Sequence, residues 1–186
     1  MKRSRPWNWP RWGLFLLLIA VFAPLLPVHA ESRDDRSVRA AYVFNLIRYI
    51  EWPPQQKELV IGFIGDAATG EVLETLLNGR TSDGRAIRVV LSPSDDELPR
   101  CSLLYVAEPD VKQVRKALEK VKGASVLTIG ETDAFARAGG MVGLVNNGDH
   151  IQIEVNLEVA QSAGIRISSR VLNLAVIVGP GQKGGS

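Results

Sequence analysis

One cysteine, Cys101, and two histidines, His29 and His150, are the whole supply of thiol and imidazole in 186 residues. With a lone cysteine no internal disulfide forms. No paired His or Cys spacing and no clustered Asp, Glu and His appear, which argues against a metal site. No Gly-x-Ser-x-Gly elbow occurs, and His150, beside a turn signal, has no sequence partner for a catalytic dyad. The glycine-rich stretch "GDAATGEV" (Gly65 to Val72) has phosphate-loop spacing, but Glu71 and Val72 stand where Lys and Ser or Thr are required. A carboxylate there repels phosphate, so a nucleoside-triphosphate site is excluded. This inventory holds no acid–base pair, activated nucleophile or metal set, and it points away from an enzyme. It also implies no cofactor.

The excess of either sign of charge is small too: 22 Lys and Arg stand against 20 Asp and Glu. The basic residues Lys2, Arg3, Arg5 and Arg11 all lie in a start without acids, followed by the apolar run Leu14 to Ala23 and small residues at Val28 and Ala30. This is a secretory signal pattern over residues 1–30, with cleavage expected after Ala30 and the periplasm as the destination. An uncleaved anchor is the alternative, although ten helical residues rise only about 15 Å, half a bilayer core. Without the leader, 22 Lys and Arg less four leaves 18 against 20 acids, a formal charge of −2. No basic stripe remains, so nucleic acid is not an expected partner.

What is present reads as one α/β domain over residues 31–180, a mixed β-sheet flanked by helices, with a C-terminal β-hairpin and helices. Residues 181–186 form a flexible Gly-rich tail. Val38, Ala41, Tyr42, Asn45, Leu46 and Tyr49 recur at helical spacing, and Pro53 stops that helix near Glu51. "ELVIGFIG", "RAIRVVLS", "CSLLYVAE" and "ASVLTIGE" are apolar runs expected as strands, with helices over "GEVLETLLNGR" and "PDVKQVRKALEKVKG" between them. Asn147-Gly148 marks a hairpin before the alternating "HIQIEVN". A short helix "LEVAQSAG", a strand-like "IRIS" and a last helix running into a terminal strand close the domain.

Candidate contact residues follow from their chemistry. Trp52, fixed before a diproline, either plugs the core edge or faces a partner. Tyr42 on the first helix and Asn156 after the hairpin join it. Arg166, Ser168 and Arg170 cluster where "IRIS" enters the last helix. They either hold a carboxylate or phosphate or make surface ion pairs. Cys101 is a buried small hydrophobe, or else a redox or intermolecular thiol.

"VRAAYVFNLIRYIEWPP", "LVIGFIGDAATGEVLETL", "LPRCSLLYVAE" and the closing "SVLTIGETDAFARAGGMVGLVNNGDHIQIEVNLEVAQSAGIRISSRVLNLAVIV" together resemble the YfiR family over Val38 to Val178. The marks are the helix ending in Trp-Pro, Gly-Gly-Met before a hairpin, and a close running from Val155-Asn156-Leu157 through Ser168-Ser169 to Leu174-Ala175. The resemblance implies a periplasmic regulator that binds the periplasmic portion of an inner-membrane diguanylate cyclase and represses it. Cyclic-di-GMP signalling and biofilm regulation would follow. It also implies an outer-membrane lipoprotein partner that sequesters the regulator, small-ligand binding, and a homodimer. Better-known members carry cysteine pairs. Cys101 aligns with one such cysteine but has no mate, so redox control by an internal disulfide is not implied here.

Overall fold

The computed structural model describes residues 33–53, 56–148 and 150–179. The first helix, α1, spans Arg33–Ile47. Ala40, Val43, Leu46 and Ile47 are its buried stripe, at the three- and four-residue spacing that puts side chains on one helix face. The helix ends four residues before the expected Glu51. The amides of Arg48 and Tyr49 turn back to Asn45 and Leu46 at 3.2 and 2.9 Å. Ile50–Glu51 then forms a short strand, β1. Its partner is β9, Arg166–Ile167, in antiparallel register Ile50 to Ile167 and Glu51 to Arg166. A pairing between residues so distant cannot be seen in local periodicity.

The main sheet has eight strands. Along the chain come β2 (Glu58–Gly65), α2 (Ala67–Leu77), β3 (Thr81–Ser82), β4 (Arg85–Leu91), a one-turn 3-10 helix (Leu98–Arg100), β5 (Leu103–Ala107), α3 (Val111–Val121) and β6 (Leu127–Gly130). After them come β7 (Val142–Asn146), β8 (Ile151–Val155), α4 (Leu157–Ser162), β9, α5 (Ser169–Leu172) and β10 (Val176–Ile177). The order across the sheet is β10-β8-β7-β6-β5-β2-β4-β3. β4, β2, β5, β6 and β7 run parallel, while β8 returns antiparallel to β7 and β10 lies parallel to β8. The chain steps from β2 outward to β4 and then crosses back to β5, the reversal of a doubly wound sheet. The mixed sheet with flanking helices is the expected α/β architecture.

Side-chain alternation divides the interior in two. On β5, Leu103 and Tyr105 enter the cluster under α1 and α2, and Leu104 and Val106 enter the cluster under α3. Both faces of this strand are covered, which is why it reads as a continuous apolar run. α3 contributes Val114, Ala117 and Val121. Asp66 caps α2 by accepting from the Thr69 amide at 3.0 Å, and Asp110 caps α3 by accepting from Lys112 at 2.8 Å. Gly130 and Gly140 flank the ring of buried Phe135, and a Cβ on either would overlap it. The loop between them is pinned by the Met141 amide donating to Thr128 Oγ1 at 2.9 Å. Among the described residues no helix is long and apolar enough to cross a membrane.

Candidate functional site

The β1–β9 ribbon and the end of α1 form one wall of a polar cleft of about 500 Å³. Arg48, Tyr49, Glu51 and Trp52 come from that wall, Ser168 and Arg170 from the entry to α5, and Asp83 and Arg85 from the β3–β4 turn. That turn is a two-residue hairpin with Asp83 at φ +48° and Gly84 at φ +76°. Both lie in the left-handed region that a type I′ turn demands, and Asp-Gly is the sequence that supplies it. The turn thereby aims Asp83 and Arg85 at the cleft. Arg85 is braced by its Nε donating to the Gln56 carbonyl at 2.9 Å. The ribbon is tied by the Ser168 amide donating to the Tyr49 carbonyl at 2.9 Å.

Three guanidinium groups, from Arg48, Arg85 and Arg170, face two carboxylates, Glu51 and Asp83. Glu51 is already engaged by Arg166 at 2.9 Å in an exposed pair. Among the described residues neither Arg48 nor Arg170 makes an ion pair, so the cleft presents uncompensated positive charge beside aromatic edges. This arrangement suits a carboxylate, a phosphate or an acidic protein loop. It includes neither the thiol nor the imidazole of the described residues: Cys101 is buried under α3 and His150 is exposed at the β7–β8 turn. Among the described residues no group of three His, Cys, Asp or Glu side chains is placed to hold a metal ion.

The sequence candidates separate on this geometry. Trp52, Ser168 and Arg170 meet in the cleft. Trp52 is 7% exposed, and its indole N–H donates to the Ile47 carbonyl at 2.9 Å, so the ring seals the core edge and closes the last turn of α1. Arg166 sits on the rim, held by Glu51. Ser168 accepts from the Arg170 amide at 3.4 Å as the cap of α5. Tyr42 is half-buried against the main core and does not line the cleft. Asn156 is fully buried: its Oδ1 caps α4 by accepting from Val159 at 3.1 Å, and its Nδ2 donates to the Ala136 carbonyl at 2.9 Å. Cys101 lies beneath the 3-10 turn with Sγ 3.5 Å from the Glu97 carbonyl, and burial raises its thiol pKa above the ordinary value.

In a doubly wound sheet the usual ligand crevice opens at the carboxyl ends of the strands. Here the chain fills that position with its own charges. Arg39 lies 3.6 Å from Glu131, just beyond β6, and reaches the Leu144 carbonyl at 3.5 Å. Tyr105 donates its hydroxyl to the same Glu131. One turn earlier on α1, Arg36 adds its positive field to Asp66 after β2. The open cleft is instead near the amino end of β4, where Arg85 begins the strand.

A family model described as YfiR/HmsC-like matches residues 36–176. The chain belongs to the YfiR/HmsC-like family. No curated protein matches it. Several solved structures match. One is the crystal structure of an ABC domain in complex with L-Trp from Streptococcus pneumonia, with TM-score 0.49 and 12% identity over 72% of this chain. The chain spans 58% of that structure's length. The family match contains every cleft residue. Among those residues, Arg48, Tyr49, Asp83 and Arg85 are not nominated by the sequence alone. The Asp83-Gly84 pair is a readable hairpin signal, whereas Arg48 and Tyr49 become cleft residues only because α1 stops at Ile47.

Proposed function

We propose that this YfiR/HmsC-like protein works in the periplasm as a regulator, binding the periplasmic portion of an inner-membrane diguanylate cyclase and holding it inactive. The observation that carries the reading is the family match over residues 36–176. The cleft supports it chemically: Trp, Tyr and Arg dominate interface energetics, and Arg48, Tyr49 and Arg170 stand ready at its mouth. An outer-membrane lipoprotein that competes for the regulator fits the same reading. The test is co-purification of the exported protein with the periplasmic domain of a membrane-bound cyclase, alongside cellular cyclic-di-GMP in a deletion strain. Repression predicts a complex and a rise in cyclic-di-GMP on deletion. No complex and no rise would dismiss it.

A second reading, a sensor of a small anionic ligand, is favoured by Arg48 and Arg170 in the cleft, which make no ion pair among the described residues. A nucleoside monophosphate and an aromatic carboxylate are suitable probes. Saturating probe raises the melting temperature if it binds the folded state, and Arg170→Ala removes that rise. A shift that survives in Arg170→Ala places the ligand elsewhere.

A further inference from the structure

α3 packs on the face of the sheet opposite α1 and α2, and its apolar stripe of Val114, Ala117 and Val121 is taken by the core. What it shows to solvent is basic. Lys112, Arg115 and Lys116 stand at i, i+3 and i+4, the spacing that gathers side chains on one helix face, and all three are exposed. In residues 31–186, 18 Lys and Arg stand against 20 Asp and Glu, yet five of those bases and a single acid fall between Val111 and Lys122. The other stretches hold 13 bases and 19 acids, so the charge is unevenly spread.

Carboxylates on the helix and its amino-terminal approach are engaged within the chain. Glu119, on the same face at i+7, pairs with Lys122 at 3.5 Å. Asp110 accepts from the Lys112 amide at 2.8 Å, and Glu108 accepts from the Asp110 amide at 3.0 Å. From the loop after β4, Asp95 pairs with Lys120 at 2.6 Å. Among the described residues Lys112, Arg115 and Lys116 make no ion pair. Their stems, with Glu119 and the exposed Val111, wall a shallow hollow of about 600 Å³.

This chemistry fits a diffuse anionic surface better than an acidic protein. Protein interfaces are depleted in Lys and anchored by aromatic side chains, and this face has two Lys and no aromatic residue. An ammonium on a long flexible stem answers charge without demanding fixed geometry. A bilayer of anionic phospholipid offers that charge everywhere and needs no matching shape. With its apolar stripe buried, the helix would rest on such a surface and not insert. The cleft walls Ile50, Trp52 and Ile167 pack in the cluster on the other face of the sheet, so a bilayer under α3 leaves the cleft open.

We propose that the exposed face of α3 is a membrane-docking surface, on which Lys112, Arg115 and Lys116 hold the headgroup phosphates of an anionic phospholipid bilayer. The inference rests on the periplasmic reading above only for which bilayer is met, the periplasmic leaflet of the inner membrane, where the client of that reading is anchored. Three cations give weak, reversible attachment that is sensitive to salt.

The experiment sediments protein recovered from the periplasm with vesicles of phosphatidylcholine alone, or of phosphatidylcholine with an equal part of phosphatidylglycerol. At about 0.01 M salt, where charges reach roughly 30 Å, the protein should sediment with the anionic vesicles and stay behind from the neutral ones. Salt of about 1 M, which shortens that reach to roughly 3 Å, should abolish the binding. Lys112→Gln should lower partitioning about fivefold, and Lys112→Gln, Arg115→Gln and Lys116→Gln combined about a hundredfold. All three positions are exposed, so melting temperatures should stay within about 3 °C of the parent. Arg170→Ala, in the cleft, should bind vesicles as the parent does. No partitioning at low salt overturns the proposal, as does equal partitioning to neutral vesicles or partitioning undiminished in the triple variant. Capture by polyglutamate without capture by vesicles overturns it too, and gives the face to an acidic protein. If the triple variant misfolds, Lys112→Gln and the salt dependence of the parent decide. None of these measurements includes a cyclase, so a failed vesicle assay leaves repression standing, and a failed co-purification leaves the vesicle result standing.

Discussion

The indole nitrogen of Trp52 and the carbonyl oxygen of Ile47 stand 2.9 Å apart, so the final turn of α1 is closed by a side chain from beyond the helix. The same ring is almost wholly buried, which joins a cap to a packing role. Trp52→Ala should cost about 3–5 kcal/mol. Trp52→Phe, which keeps apolar bulk and loses the donor, should cost less, about 1–3 kcal/mol. Urea denaturation followed by circular dichroism measures both. Equal losses for the two variants would discard the hydrogen bond as a contributor.

Asn156 holds the start of α4 and the loop after β6 together from a fully buried position. Asn156→Ala loses the cap, about 1 kcal/mol, and leaves the Ala136 carbonyl without its donor, about 1–3 kcal/mol more. Asn156→Asp keeps the acceptor, removes the donor and buries a charge, and should be at least as damaging. A near-neutral Asn156→Ala combined with lost cyclase repression would move this residue from scaffold to contact surface.

Phe135 fits because Gly130 and Gly140 carry no Cβ. Gly130→Ala forces the buried ring aside and should destabilise by about 1–3 kcal/mol. Pairing it with Phe135→Leu should give less than the sum of the two single losses, since the smaller side chain vacates the space the methyl needs. Strict additivity in a double-mutant cycle would show that the methyl and the ring do not compete.

Burial pushes the Asp66 carboxyl upward, but the Thr69 hydroxyl and amide and the charge of Arg36 outweigh it and hold the pKa below the ordinary 3.8. A depressed carboxylate contributes stability that is complete above the ordinary value and is lost as pH falls through the folded value. Asp66→Ala should therefore cost about 1 kcal/mol at pH 7 as a lost helix cap. The gap to the parent should narrow as pH falls below the ordinary 3.8 and through the lowered folded value. Urea titrations at neutral pH and in acid test this, and a gap that widens in acid reverses the sign.

Cys101 is buried, and its thiol is pushed up by that burial. Thiolate is the reacting form, so iodoacetamide at pH 7 should leave the folded protein unlabelled and modify it fully in urea. Rapid labelling of the folded protein would restore the redox-thiol reading.

Local pattern was enough for the four parallel strands that read as apolar runs, for α3 with its Pro109 and Gly123 bounds, and for the hairpin around Asn147-Gly148. It was not enough where distant segments decide. Periodicity carries α1 to Glu51, but Ile50 and Glu51 are claimed by Ile167 and Arg166, and the helix yields to that ribbon. Asn156 looks like a contact residue because an amide after a hairpin suits recognition. Its position directly before α4 is equally a capping signal, and its burial decides for the cap. Arg166 and Arg170 are two letters of one cluster in the chain, yet one is occupied by Glu51 and the other is open to the cleft. Trp52 could be read either as plug or as anchor, and the hydrogen bond to Ile47 gives it the first role while the cleft keeps its edge in view.

The β1–β9 ribbon has a consequence for assembly in time. Its strands lie 117 positions apart, at residues 50 and 167, so that one wall of the cleft joins opposite ends of the domain. A polypeptide emerging amino end first has α1 long before it has β9, and closing so long a loop is slow. That wall of the cleft is therefore complete only once β9 has emerged and joined β1.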